Sequence, residues 1–160
     1  MAETGPKHIS DFTADSRWMD YNGHMNIAYY TVALDKTMDD FFAGLGIGET
    51  YARKENRSTF MLQNHTRYLR EIREGQQFSS YLQLLGLDSK RFHAFVSLIH
   101  ADGTTQLAIS EVIGMHVDLE TRKPIEFPDQ PYDVMSALFA EHQALPVPKF
   151  AGRGIGIADN

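Results

Sequence analysis

Cysteine is absent from the 160 residues, which excludes disulfides, thiolate metal sites and a cysteine nucleophile. No apolar run approaches the roughly 18 residues that a membrane span needs, and "MAETGPKHIS" at the start lacks the apolar stretch of a secretory leader. Basic residues are scattered and outnumbered, 15 Lys and Arg against 21 Asp and Glu, for a formal charge of -6. No basic stripe is left to follow a phosphate backbone, so nucleic acid is not expected as a partner. The seven histidines show no HExxH or other close ligand spacing, and no metal site is expected. A GxSxG elbow is missing, and Ser110 beside Glu111 is not a triad. "GLGIG" and "GRGIG" lack the strand-turn-helix context of a dinucleotide loop and read as caps and loops. What remains, at 42% hydrophobic and 22% charged residues, is a single globular domain over residues 1–160 with a cytoplasmic location.

The pattern along the chain is a strand, one long helix, then mostly strands. Residues His8 to Arg17 read as a weak first strand. After the Asn22-Gly23 turn, Asn26 is placed to cap a helix from Ile27 to Phe42. Its apolar residues Ile27, Tyr30, Val32, Leu34, Met38, Phe41 and Phe42 cover much of the circumference, which predicts a wrapped helix, with Asp35, Asp39 and Asp40 on the solvent side. Gly44 and Gly46 fit the C-terminal cap. From Ser58 the period changes to two. "FSSYLQLLGL" alternates Phe78, Ser80, Leu82 and Leu84 against Ser79, Tyr81, Gln83 and Leu85. "RFHAFVSLIH" puts Phe92, Ala94, Val96 and Leu98 on one face, and the next run does so with Leu107, Ile109, Ile113, Met115 and Val117. Asp102-Gly103 marks a hairpin. Pro124, Pro128 and Pro131 break the sheet, "YDVMSALFAEHQ" reads as a short last helix, and residues 147–160 as an irregular tail. The result is an α+β chain with one helix lying across an antiparallel sheet. Such a sheet has an edge to protect, and pairing in a homo-oligomer would protect it.

Two details stand out from this pattern. Glu111 falls on the apolar face of its strand, which calls for a bulge or for a buried carboxylate with a partner. His93 and His100 lie on a strand and at its end, where solvent exposure or a local hydrogen bond is expected.

The stretch "RWMDYNGHMNIAYY" concentrates the chemistry. Asp20 precedes a sharp turn, and His24-Met25-Asn26 leads into the helix. First-turn N–H groups have no partner inside a helix and carry the positive end of its dipole, so they can hold an oxygen that gains negative charge. A carboxylate just before that turn can attack a carbonyl carbon or activate water. The alternative is that Asp20 only ties the turn.

"DYNGHMNIAYY" followed by "DKTMDDFFAGLG" resembles the D-x-x-G-H-x-N signature and central helix of hotdog-fold acyl-CoA thioesterases of the 4-hydroxybenzoyl-CoA thioesterase-like group. "HTRYLREIREGQQF" and "VDLETRKPIEFP" are similar to later strands of the same group, so the resemblance covers most of the chain. It implies an antiparallel sheet wrapped around one central helix, with Asp20 as catalytic carboxylate and the Ile27 N–H polarising the thioester carbonyl. His24 and Asn26 would order the turn and the helix start. Coenzyme A would enter only as part of the thioester substrate, with no cofactor besides. A dimer or tetramer with the pocket between subunits is implied, lined in part by Trp18, Tyr21 and Tyr30. Arg67, Arg70, Arg73, Lys90 and Arg91 are candidates for the coenzyme A phosphates, or are ordinary solvated charges. Trp18 stands where many relatives have a second acid, so the acyl group cannot be borrowed from them. The "WMDYNGHMN" version is similar to thioesterases of carnitine breakdown, which release betaine. Aromatic rings suit such a cation, although the same rings could simply pack the helix. Other readings of the fold are a non-catalytic acyl-CoA or small-ligand binder and a hydratase, but Asp40 occupies the position where a hydratase motif starting at Asp35 needs histidine.

Overall fold

The computed structural model describes residues 5–157 and shows a five-stranded sheet crossed by one long helix. The strands are β1 (Lys7–Thr13), β2 (Arg57–Tyr68), β3 (Gln77–Leu87), β4 (Arg91–His100) and β5 (Gln106–Asp118), in the spatial order β1-β3-β4-β5-β2. Every neighbouring pair is antiparallel. The helices are α1 (Ile27–Gly44), α2 (Glu49–Glu55) and α3 (Asp129–His142). This is the α+β hotdog arrangement that the sequence implies.

Helix α1 starts where Asn26 accepts the Ala28 N–H at 3.0 Å. Its buried residues, Tyr30, Ala33, Leu34, Thr37, Met38, Phe41 and Phe42, recur at spacings of three and four and so form one stripe against the sheet. The buried face is therefore narrower than the expected wrapping: Ile27 is 63% and Val32 50% exposed, because within one chain the sheet covers a single face of the helix. Asp40 is half-buried and accepts the Ser10 hydroxyl of β1 at 2.7 Å. The helix runs two residues beyond Phe42. It closes when Gly46, at φ 77°, lets Gly46 N–H reach the Ala43 carbonyl and Ile47 N–H the Phe42 carbonyl. Ile47 is then buried, which seals the cap with an apolar contact.

In the sheet, Phe92, Ala94, Val96 and Leu98 of β4 all join the core, as do Phe78, Leu82 and Leu84 of β3. β5 differs from expectation. Val112 pairs with Ala94, and Ala108 with Leu98, and partners across a ladder share a face. The even-numbered residues of β5 therefore face α1, and Ile109, Glu111 and Ile113 face away. Gly114 lies opposite Phe92, whose ring occupies the space that a Cβ there would need.

The first strand ends at Thr13, earlier than expected, because Asp15 accepts the Arg17 N–H at 2.8 Å and bends Ser16–Trp18 into a single 3-10 turn. Helix α2 was not legible: it buries no residue, so it has no apolar period, and it ends at Asn56 with φ 54°. α3 begins three residues before the expected Tyr132, directly after Pro128, with Pro131 tolerated in its first turn. Beyond it the tail is irregular, as expected, but anchored. The Pro146 carbonyl accepts Gln83 Nε2 at 3.3 Å, Gly152 N–H donates to Glu111 Oε2 at 2.8 Å, and the Gly154 carbonyl accepts Arg67 Nη2 at 3.1 Å. Residues 158–160 of the expected tail lie outside the described residues.

Two buried histidines tie outer elements to the sheet. His116 accepts the Tyr51 hydroxyl at 3.0 Å and donates from Nδ1 to the Glu126 carbonyl at 2.9 Å. His142 Nδ1 accepts the Leu84 N–H at 2.8 Å, which requires that nitrogen to be unprotonated. Burial holds both pKa values below the ordinary 6.5. A histidine with a depressed folded pKa is protonated in the unfolded chain first, so stability is intact above the unfolded value and is lost as pH falls below it. Chemical denaturation between pH 7.5 and 5.5 should show stability falling below about 6.5, by at most ~1.4 kcal/mol per pH unit for each histidine. A flat profile would show that neither ring is held neutral by the fold.

Candidate active site

The loop between Trp18 and α1 is a miniature hairpin. Met19 and Met25 form an isolated antiparallel bridge, Asn26 N–H donates to the Trp18 carbonyl at 2.9 Å, and Asp20 N–H donates to the His24 carbonyl at 3.0 Å. The turn closes with Gly23 N–H on the Asp20 carbonyl at 3.0 Å, which Gly23 permits by adopting φ 77°. Asp20 Oδ1 accepts the Asn22 N–H at 2.8 Å. Its Oδ2 accepts no hydrogen bond among the described residues. The side chain is thus held by one oxygen while the residue stays half-exposed.

Met25 locks this hairpin to the chain that leaves β2. Its N–H donates to the Ile72 carbonyl at 2.7 Å and its side chain is 1% exposed. Five residues on, the Tyr30 hydroxyl donates to the Arg70 carbonyl at 3.1 Å, and burial raises the Tyr30 pKa. Between these two ties lies an open hollow of about 250 Å³ lined by His24, Met25, Ile27, Tyr30, Tyr68, Leu69, Arg70 and Glu71. The Ile27 N–H, the first of the helix, donates to no group among the described residues. A helix N-terminus therefore opens beside a hollow whose lining includes His24, and the His24 carbonyl is the group that the Asp20 N–H bonds.

The sequence-expected residues divide around this hollow. His24, Ile27 and Tyr30 line it; Asn26 caps the helix behind it. Asp20 is on the turn, outside the lining. Trp18 stacks on Tyr29 with ring centres 5.6 Å apart, and Tyr21 is 97% exposed. The aromatic residues of the motif therefore do not converge within one chain. Arg67 precedes Tyr68 on β2 and so faces the opposite side of the sheet, where it lies over Phe150 and holds the tail. Arg91 pairs with Met115, seven residues along β5 from the Ala108 partner of Tyr68, or about 23 Å away. It is bonded to Asp88 at 2.7 Å. Neither arginine reaches the hollow. Arg70 does line it, with Nη1 turned onto the Leu69 carbonyl, while Arg73 is paired with Glu71.

Tyr68, Leu69 and Glu71 were missed as site residues. They lie more than 40 positions from the motif, and only the hydrogen bonds from Met25 and Tyr30 bring them to it. Glu111 is resolved as a carboxylate with partners: it bonds His93 Nε2 at 2.7 Å and the tail, and no bulge interrupts its pairing. His100 is locally bonded to Asp102, as expected.

Comparison with known proteins agrees with this geometry. The thioesterase-like superfamily model matches residues 15–138. A betainyl-CoA thioesterase of Pseudomonas aeruginosa is 34% identical over 140 residues, 88% of each chain. An L-carnitine dehydrogenase/betainyl-CoA thioesterase of Rhizobium meliloti is 30% identical over 96% of this chain, which spans only 31% of that longer protein. A Staphylococcus aureus protein solved in complex with CoA superposes with a TM-score of 0.88 at 26% identity, over 96% of this chain and 97% of that one. The chain belongs to the thioesterase-like superfamily.

Proposed function

We propose that the chain hydrolyses a small acyl-CoA thioester to the free acid and coenzyme A, and that betainyl-CoA is among its substrates. The observation that carries this reading is the Ile27 N–H, unpaired among the described residues and opening beside the hollow, on a loop that also presents Asp20. A thioester carbonyl oxygen placed at Ile27 meets a fixed donor and the positive end of α1 as it becomes an oxyanion, typically worth a few kcal/mol. Asp20 supplies the other half. Its carboxylate either attacks the carbonyl carbon, forming an anhydride that water then opens, or takes a proton from the water that attacks. In both courses the carbon–sulfur bond breaks, coenzyme A leaves as the thiolate, and the proton given up by the consumed water converts it to the thiol. His24 and Asn26 keep the turn and helix start in register, and Trp18 and Tyr29 brace the loop. The chemistry needs no cofactor beyond the coenzyme A of the substrate. No helix among the described residues is long and apolar enough to cross a membrane, in keeping with action on a cytoplasmic thioester.

Assembly belongs to the same proposal. β2 is the last strand of the sheet, twelve residues long and paired on one side only. Phe60, Met61 and Leu62 on it are 37 to 51% exposed, and α1 leaves Ile27 and Val32 open as well. A long apolar edge is stable when paired, and a second copy would cover the strand and give the site near Ile27 its missing wall.

Thiol release from a panel of acyl-CoAs tests the chemistry. Asp20→Asn keeps the shape and the Asn22 contact but removes the nucleophile or base, so turnover should fall by about 10²- to 10⁴-fold with an unchanged melting temperature. Retention of half the wild-type turnover would reduce Asp20 to a turn residue. Analytical ultracentrifugation tests the assembly: a dimer or tetramer of the 18.1 kDa chain is expected, and a fully active monomer would overturn the shared site.

A further inference from the structure

Five aromatic residues lie around the start of α1, and three of them, Trp18, Tyr21 and Tyr29, do not line the hollow. Trp18 and Tyr29 stack on each other at an interplanar angle of 13°, Tyr21 stands in solvent, and Tyr30 is buried with its hydroxyl fixed on Arg70. The fifth is Tyr68, at the end of β2. It is 48% exposed, lines the hollow with Ile27, and stands edge-on to Tyr30 with centres 5.2 Å apart at 75°. The two nearly perpendicular rings make a corner beside the buried side chain of Met25. Of the charged groups on the rim, Glu71 accepts Arg73 Nε at 2.9 Å, and Arg70, which keeps its positive charge, has Nη1 folded onto its neighbour's carbonyl at 2.9 Å. With the carboxylate paired and the guanidinium turned back onto the Leu69 carbonyl, the ring faces are left open to a ligand.

That environment matches a particular chemistry. A quaternary ammonium has no N–H to donate, so hydrogen bonds cannot recognise it, whereas an aromatic face attracts it through the ring quadrupole. The hollow, open and about 250 Å³, is close to the small end of ligand pockets at about 300 Å³, a size that suits a trimethylammonium group on a two-carbon acyl chain. We propose that Tyr68 is the residue that selects a cationic acyl head group, by presenting its ring in this hollow beside the Ile27 N–H. This assignment rests on the thioesterase reading above and adds to it a specificity residue from outside the motif.

The test compares kcat/KM for betainyl-CoA and for its neutral tert-butyl isostere, in which carbon replaces the nitrogen, in wild type, Tyr68→Phe and Tyr68→Leu. Wild type should favour the cation. Tyr68→Leu should lower the cation-to-neutral ratio by about 2- to 30-fold, the span of one cation–π contact, and Tyr68→Phe, which keeps the ring, should preserve it. An unchanged ratio in Tyr68→Leu, or a wild type that favours the neutral compound, overturns the role of Tyr68 while leaving a thioesterase. A wild type that hydrolyses no thioester overturns the underlying reading instead. Competitive inhibition by betaine against its neutral isostere acid gives a second readout of the same preference, and loss of that preference in Tyr68→Leu alone is the expected result.

Discussion

The hydrogen bond from Met25 N–H to the Ile72 carbonyl, 2.7 Å long, is the constraint on which the site depends. Without it, the hairpin carrying Asp20 would be held by its own two ends and by the packing of the buried Met25 side chain, with no backbone bond to the chain leaving β2. With it, the start of α1 is fixed against the chain leaving β2, and the Tyr30 hydroxyl repeats the tie one turn later. Catalytic groups need positioning to about 0.5 Å, and a helix end is the least rigid part of a helix. Two ties to one short segment turn that weak place into a fixed one. They also suit the proposed chemistry: the orphan N–H groups that make a helix end a liability inside a core are useful at a hollow that a substrate can enter.

Strand alternation then distributes the work between the two faces of the sheet. Tyr68 falls on the side of α1 and Arg67, one residue earlier, on the reverse. Arg67 and Glu111 stand out in the sequence as charged residues, and here, together with Gln83, they seat the irregular tail that would otherwise lie unpaired over the sheet. Exposed ion pairs contribute little each. The His93–Glu111 contact is more sheltered, and it meets the demand that a half-buried carboxylate be satisfied.

Much of this was legible in the sequence for a physical reason. The helix is marked by Asn26 at one end and Gly46 at the other, and β4 by four core residues at period two; local rules act on neighbouring residues, which a sequence displays. The motif from Asp20 to Asn26 encodes its own turn, so its geometry could be read as well. What could not be read depends on register. β5 carries apolar residues on both faces, and only its pairing with β4 decides that Ala108 and Val112 look inward while Glu111 looks out. Helix α2 escaped because it buries nothing. Tyr68 and Glu71 escaped because their relation to Ile27 exists only through contacts spanning some forty residues.

The contact of His142 with Leu84 has a consequence of a different kind. β1 pairs with β3 only as far as Leu82, so past that point the edge of β3 is closed by a side chain from α3 and not by a strand. The Leu84 amide is therefore shielded by the docking of a helix, whereas Ser80 or Leu82 is shielded by a ladder. Exchange of that single amide with deuterium would report the undocking of α3 as an event separate from the opening of the sheet, with a free energy of its own below that of global unfolding.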